Sequence, residues 1–228
     1  MNLYFIGSSN AVKPYIILEN LLFQGIQLSN TVYLTDSNCG VCVDFCKVHG
    51  ISVMNILNYT EEELIERLKQ DNTSKLLVSL GWPKLISAEF LKVWDAAINC
   101  HGSVLPDYRG SRSYMHYWAN MASEYGASIH YMNDKFDDGN VIVQGKLKLY
   151  REETQHIIHQ RTAELCAYLL PRAIELVQNG YLGYKPAGRK RYFYKMSPEE
   201  FEEHRRVNEE LIRQGLEPIL TKHKEFNE

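Results

Sequence analysis

Four short apolar runs constrain the fold more than anything else in this chain. They lie at residues 3–6, 31–34, 51–56 and 76–80, and each has the length of a buried strand. Helical patterns separate them. Residues 15–22 carry apolar side chains and end at Gly25. Residues 41–48 place Cys42 and Cys46 one turn apart. Thr60 and Glu63 form a capping box ahead of Leu64, Ile65 and Leu68. Strand and helix alternating at this spacing predict an α/β fold, doubly wound around a mostly parallel sheet. Such sheets build their sites at the carboxyl ends of the strands, which is where Gly7, Gly81 and Asn99 fall.

The 228 residues allow one substantial domain and a small appendage. A 45% hydrophobic content supports a real core, and a net charge of −3 argues against a dedicated nucleic-acid binder. No run of 18 apolar residues is present, so no membrane span is expected. The first residues lack a basic region and a small-residue cleavage site and read as a strand, which points to the cytoplasm. Five cysteines in such a chain suggest free thiols. The spacing of Cys39, Cys42, Cys46 and His49 has the look of a zinc site. The competing reading is a helix that buries Cys42 and Cys46, with Gly50 as its stop, and no metal is expected.

After the fourth apolar run come two polar clusters. The first is Asn99-Cys100-His101-Gly102-Ser103-Val104-Leu105-Pro106-Asp107-Tyr108-Arg109-Gly110. Asn99 and His101 are two apart and share one side of an extended segment. The second comprises His130, in an alternating stretch at 127–132, and the turn Asp137-Asp138-Gly139 before a strand at 141–143. One amide, two imidazoles and a carboxylate are parts for acyl chemistry, although their spacing alone names no reaction. Gly7-Ser8-Ser9-Asn10 follows the first strand. Its backbone N–H groups would cradle a phosphate, or it is an ordinary strand-to-helix turn.

Together these clusters resemble the signature of the formyltransferases that use 10-formyltetrahydrofolate. That pattern is Asn-x-His-x-Ser-Leu-Leu-Pro-x-Tyr-Arg-Gly, followed by a strand histidine and Asp-x-Gly-x-Ile-x-x-Gln. Here the second part reads His130, then Asp137 to Gln144, with the interval of seven from histidine to aspartate kept. Val104 replaces a leucine, Asn140 a frequent proline, and the Asp-x-Gly frame selects Asp137 over Asp138. The resemblance runs over residues 1–183, taken as the catalytic domain, with 184–228 as a short C-terminal extension.

The resemblance implies a mechanism. A substrate amine attacks the formyl carbon, Asn99 donates to the resulting oxyanion, and His101 donates to it or shuttles a proton. Asp137 takes the amine's proton and orients His101. Trp82, Lys84, Leu85 and Ile86 match the segment that cradles the pterin, although Trp82 also reads as a core anchor. His130 either steadies Asp137 and the folate loop or is a satisfied strand histidine. Ser9, Asn10, Arg109 and Gly110 are the substrate-binding candidates; Arg109 would pair with a pyrophosphate or lock its loop.

Three branches share this signature. The initiator-tRNA branch carries a further C-terminal barrel with no counterpart here, and the net charge does not suit tRNA. The purine branch has a fuller Gly-Asn-Gly-Ser-Asn loop after its first strand. Tyr108-Arg109-Gly110 and Tyr117-Trp118-Ala119 look more like the sugar branch. The expected acceptor is therefore the amine of a nucleotide-linked deoxysugar, used for surface polysaccharide such as lipopolysaccharide. Glycinamide ribonucleotide is the enzyme alternative, and formate release from the same folate is another. A catalytically idle folate- or nucleotide-binding protein is the reading outside enzymes.

The rest of the chain reads as a helix over 154–179, kinked by Pro171 and ended by Gly180, with His156 and His159 on a solvated face. Residues 185–195 are basic and aromatic and would clamp nucleotide phosphates and a base, or bind RNA. Ser197-Pro198-Glu199-Glu200 opens a last helix with Phe201, Val207, Leu211 and Ile212 as its apolar side and Gly215 as its stop. This tail would pack on the core or build a homodimer.

Overall fold

A computed structural model of the protein describes residues 1–226; the last two residues of the C-terminal extension lie outside the described residues. The main sheet has seven strands: β1 (Asn2–Ile6), β2 (Val32–Thr35), β3 (Ser52–Asn55), β4 (Lys75–Ser79), β5 (Ala96–His101), β6 (Glu124–Tyr131) and β7 (Val141–Lys148). Their order is β3-β2-β1-β4-β5-β6-β7. The first five pair in parallel, and β6 and β7 close the sheet antiparallel. β4 is buried at every residue, as a central parallel strand covered on both faces must be.

Helices cover both faces. On one, α1 (Val12–Phe23), α2 (Val41–Val48) and α6 (Gln155–Gln178) pack on Phe5, Val78, Ile98 and Ile129. On the other, α3 (Glu61–Lys69) and α4 (Ala88–Leu91) pack on Tyr4, Ile6 and Leu77. The predicted capping box holds: Thr60 Oγ accepts from Glu63 N–H at 3.2 Å and Glu63 accepts from Thr60 N–H at 2.8 Å. Cys42 and Cys46 point into the core from α2, whereas Cys39 is exposed and the His49 ring packs tilted against Phe45 at 4.4 Å. The helix reading of that spacing fits this geometry, and no metal-holding group of His, Cys, Asp and Glu occurs among the described residues. Nor is any helix among them long and apolar enough to cross a membrane.

Four expectations change in detail. The third strand is shorter than 51–56, because Asn55 Oδ1 accepts from Leu57 N–H at 3.0 Å and winds Ile56–Asn58 into a 3-10 turn. β7 runs well past 143, since its solvent-facing polar residues still pair with β6 as far as Lys148. α6 continues through Pro171 as one helix of 24 residues. A proline leaves the carbonyl four residues back without its N–H partner. Here that carbonyl, Ala167 O, accepts from Gln24 Nε2 at 3.2 Å.

The fourth concerns the last helix, α7 (Pro198–Arg213), which buries Asn208 in place of Val207. The Asn208 amide donates to Ala119 O and Ile219 O and accepts from Ile219 N–H, so its burial is satisfied on both sides. Strands β8 (Lys190–Phe193) and β9 (His223–Phe226) complete the extension as a small antiparallel sheet. It packs on the main body. Phe193 and Phe201 are fully buried with Tyr108, Tyr117 and Trp118, the last two on α5 (Ser113–Ala119).

Candidate active site

Period-2 geometry at the end of β5 sets the site. Ile98 and Cys100 turn toward α6 and join its core, so Asn99 and His101 turn to the opposite face. Asn99 stands directly across from His130 in the β5–β6 ladder. The third element is the turn after β6. Asp137 there adopts the left-handed conformation with φ 50°. Gly139 follows, and a Cβ on it would lie 1.8 Å from Tyr131 O, so the turn folds back against β6 only with glycine at that place.

These elements bring Asn99, His101, His130 and Asp137 together. Asp137 Oδ1 lies 3.2 Å from His101 Nδ1 and 3.6 Å from His130 Nε2. It also accepts from Asn99 Nδ2 at 3.4 Å, while Oδ2 accepts from Gly110 N–H at 3.0 Å. Burial pushes the Asp137 carboxyl up, but its polar neighbours, His101 and the Gly110 N–H among them, outweigh it and hold the group below the usual carboxylate range. Burial lowers His101, and the Asp137 charge opposes that shift.

The carbonyl contacts fix the imidazole protons. His101 Nε2 is 3.1 Å from Tyr108 O, and a carbonyl can only accept, so Nε2 carries hydrogen. His130 Nδ1 donates to Tyr131 O at 2.8 Å, which leaves Nε2 to accept from Asn99 Nδ2 at 3.2 Å. Both Asn99 N–H bonds are thus engaged, the one to Asp137 at the longer distance. The group combines a poised amide donor, an ionised carboxylate and a buried imidazole beside it. Such a set can stabilise a developing oxyanion and accept a proton beside it.

The site opens into a cleft of about 490 Å³, within the usual size of a small-molecule pocket. Ser79, Gly81 and residues 82–86 form one wall; Asn133, Lys135 and Phe136 belong to the turn before Asp137. Gly81 at φ 97° turns the chain, and Trp82 N–H donates to Ser79 Oγ at 3.3 Å. Of the predicted folate segment, Leu85 is 51% exposed, Ile86 is buried in the α3–α4 core, and Lys84 sits 6.0 Å from the Trp82 ring. Lys13, Lys84, Arg112, Lys135 and Lys195 line the cleft, and Asp137 is the sole carboxylate among the lining residues. A protein of net charge −3 therefore presents a cationic cleft.

The structure does not bring Ser9 and Asn10 to this wall, nor Arg109. Ser9 N–H donates to Asp36 at 2.8 Å and Ser9 O accepts from Cys42 N–H, so the turn's backbone groups are engaged locally. Arg109 pairs with Asp138 at 2.6 Å. Gly110 does line the cleft. Two further residues take part, Lys13 and His159. Lys13 donates to Cys100 O from the first turn of α1, in line with the buried Ile17 and Leu21. His159 is not on a solvated face: it stacks on Tyr114 at 4.3 Å and lines the cleft, and burial lowers it to about 4. The extension contributes Tyr192 and Lys195.

Comparison with known proteins fits this geometry. The family model described as formyl transferase matches residues 47–174, more than half of the chain. The chain belongs to the formyl transferase family. The matched span includes Asn99, His101, His130 and Asp137. The chain is 28% identical over 138 residues to a methionyl-tRNA formyltransferase of Fusobacterium nucleatum subsp. nucleatum, covering 60% of itself and 44% of that relative. It thus spans less than half the length of that curated relative. Two solved structures share its fold with a TM-score of 0.66 and 18% identity. Glycinamide ribonucleotide transformylase 1 from Symbiobacterium toebii covers 79% of this chain, matching over 89% of its own. An N-formyltransferase from Helicobacter canadensis, in complex with folinic acid and dTDP-3-aminofucose, covers 96% of this chain, matching over 84% of its own.

Proposed function

We propose that this family member transfers a formyl group from 10-formyltetrahydrofolate to the amine of a nucleotide-linked amino deoxysugar, a building block of surface polysaccharide. One observation carries the choice of acceptor. The likeness to the Helicobacter canadensis enzyme extends over 96% of the chain, which cannot be reached without most of residues 184–228. Those residues deliver Tyr192 and Lys195 to the cleft. A cationic wall also suits two anionic ligands, a folate with its glutamate carboxylates and a nucleoside diphosphate.

The folate supplies an activated formyl carbon. Residues Trp82, Lys84, Leu85 and Ile86 would hold its ring, with His130 and Asp137 at the reacting end. Asn99 releases its long contact to Asp137 and donates to the formyl oxygen as negative charge develops there, a contribution of about 3–4 kcal/mol for one such donor. The attacking amine must be neutral, and Asp137, ionised beside the His101 ring, takes its proton directly or through water. The amine–carbon bond forms, the bond from the folate nitrogen to the formyl carbon breaks, and that nitrogen leaves with a proton.

A thermal-shift screen tests the acceptor. The protein loaded with folinic acid is titrated with dTDP, UDP, GDP and glycinamide ribonucleotide. Selective stabilisation by one nucleoside diphosphate supports the sugar acceptor, since a ligand at about 100 times its Kd adds ~2.7 kcal/mol. Stabilisation by glycinamide ribonucleotide alone would move the assignment to purine synthesis, the reading favoured by the equal TM-score of the Symbiobacterium toebii enzyme.

A further inference from the structure

Arg109 and Gly110 are consecutive, and they grip two consecutive residues of the facing turn. The Arg109 guanidinium sits 2.6 Å from Asp138, and Gly110 N–H donates to Asp137 at 3.0 Å. Asp137 is the residue that must hold a left-handed backbone to reach His101. That conformation is disfavoured for a non-glycine residue and persists only where the surroundings over-determine it. Arg109 is 9% exposed and does not line the cleft, so an anion in the cleft does not meet it. Its Nε is buried without a partner among the described residues, which leaves the contact to Asp138 as the side chain's ion pair there.

The extension holds Arg109 from behind. Arg109 N–H donates to Arg191 O and Phe193 N–H donates to Arg109 O, both at 3.0 Å. Just before Arg109 in the chain, Asp107 pairs with Arg191 and Tyr108 stacks on Phe193 at 4.4 Å. A Cβ on Gly110 would lie 2.8 Å from Phe193 O, so β8 presses directly on this loop.

We propose that Arg109 is a positioning residue. Through Asp138 it holds Asp137 in the left-handed turn that places its carboxylate on His101, and β8 of the C-terminal extension fixes Arg109 for that task. The extension is then part of the catalytic apparatus as well as a wall of the cleft. This rests on the reading of Asp137 as proton acceptor.

The test uses R109Q, D138N, their double variant and R109K, each with two readouts. The first needs no acceptor: the ring-nitrogen NMR spectrum of 15N-histidine protein reports the His101 Nδ1 contact with Asp137. The second is steady-state formyl transfer. D138N is the variant least at risk in folding, because the Asp138 side chain is 33% exposed. Misplacing a reacting group by about 1 Å can cost ~10²-fold. R109Q and D138N are therefore expected to shift the His101 ring signals and to lower kcat by about 10–100-fold with the folate KM little changed. R109K, which keeps the charge, should retain most of kcat, and the double variant should be no worse than the poorer single.

Unchanged His101 signals in well-folded R109Q and D138N, or single effects that multiply in the double variant, would overturn the proposal. If the wild type formylates none of the acceptors offered, the functional reading fails while the NMR readout still decides the positioning.

Discussion

His116 makes the junction between the body and the extension sensitive to acid. It is fully buried on α5 between Phe193 at 5.0 Å and Phe201 at 4.7 Å, with Nδ1 2.7 Å from Thr221 Oγ1. Its Nε2 has no partner among the described residues. Burial, aided by the charge of His204, lowers it from 6.5 to about 3. The folded-state value is depressed, so the stability is present above the unfolded value and is lost as pH falls toward about 3. Near pH 4.5 the unfolded chain has bound this proton and the folded chain has not. At ~1.4 kcal/mol per unit, the penalty relative to pH 7 is roughly 2–3 kcal/mol. For a domain of this size that is about 5–10 °C in Tm. Removing the imidazole in H116Q should flatten the acid dependence of Tm by that amount, whatever the substitution costs at neutral pH. Differential scanning calorimetry from pH 7 to 4.5 reads it, and NMR should show the wild-type ring neutral through the whole range. Equal acid slopes in the two proteins, or a ring that protonates near 6, would refute the reasoning.

Further expectations are as follows. G139A should lose at least 1–3 kcal/mol by urea unfolding, because the added methyl meets the rigid Tyr131 carbonyl; a wild-type midpoint would mean that the turn can shift freely. K195A should raise the acceptor KM several-fold and leave the folate KM alone, and equal effects on both would place Lys195 elsewhere in the reaction. Dialysis against a chelator should leave turnover unchanged; lost activity would give Cys39, Cys42, Cys46 and His49 a metal role.

What could be read in advance was what is local. Asn99 and His101 were placed on one side by the two-residue period of a strand, and the capping boxes at Thr60 and Ser197 by their own spacing. What escaped depends on partners distant in sequence. His159 stacks on Tyr114, which sits on a helix of seven residues too short to announce itself by periodicity. Its spacing from the buried Thr162 and Cys166 was the available signal. Lys13 carried a similar one, lying four and eight residues before buried Ile17 and Leu21. Pro171 predicts a kink, yet the helix runs on through it, and Gln24 of another helix donates to the freed Ala167 carbonyl. Val207 gave way to Asn208, since an amide satisfied by three backbone groups is as well buried as an apolar side chain.

The most direct test of the central claim is Asp137→Asn, with folinic acid binding and formyl transfer measured on the same preparation. The amide keeps the shape, so it can still accept from Gly110 N–H, but it cannot take the amine's proton. Binding should stay within a few-fold of wild type, and kcat should fall by about 10²–10⁴. A kcat within about threefold of wild type in a variant that binds folate normally would show that Asp137 does not accept the proton.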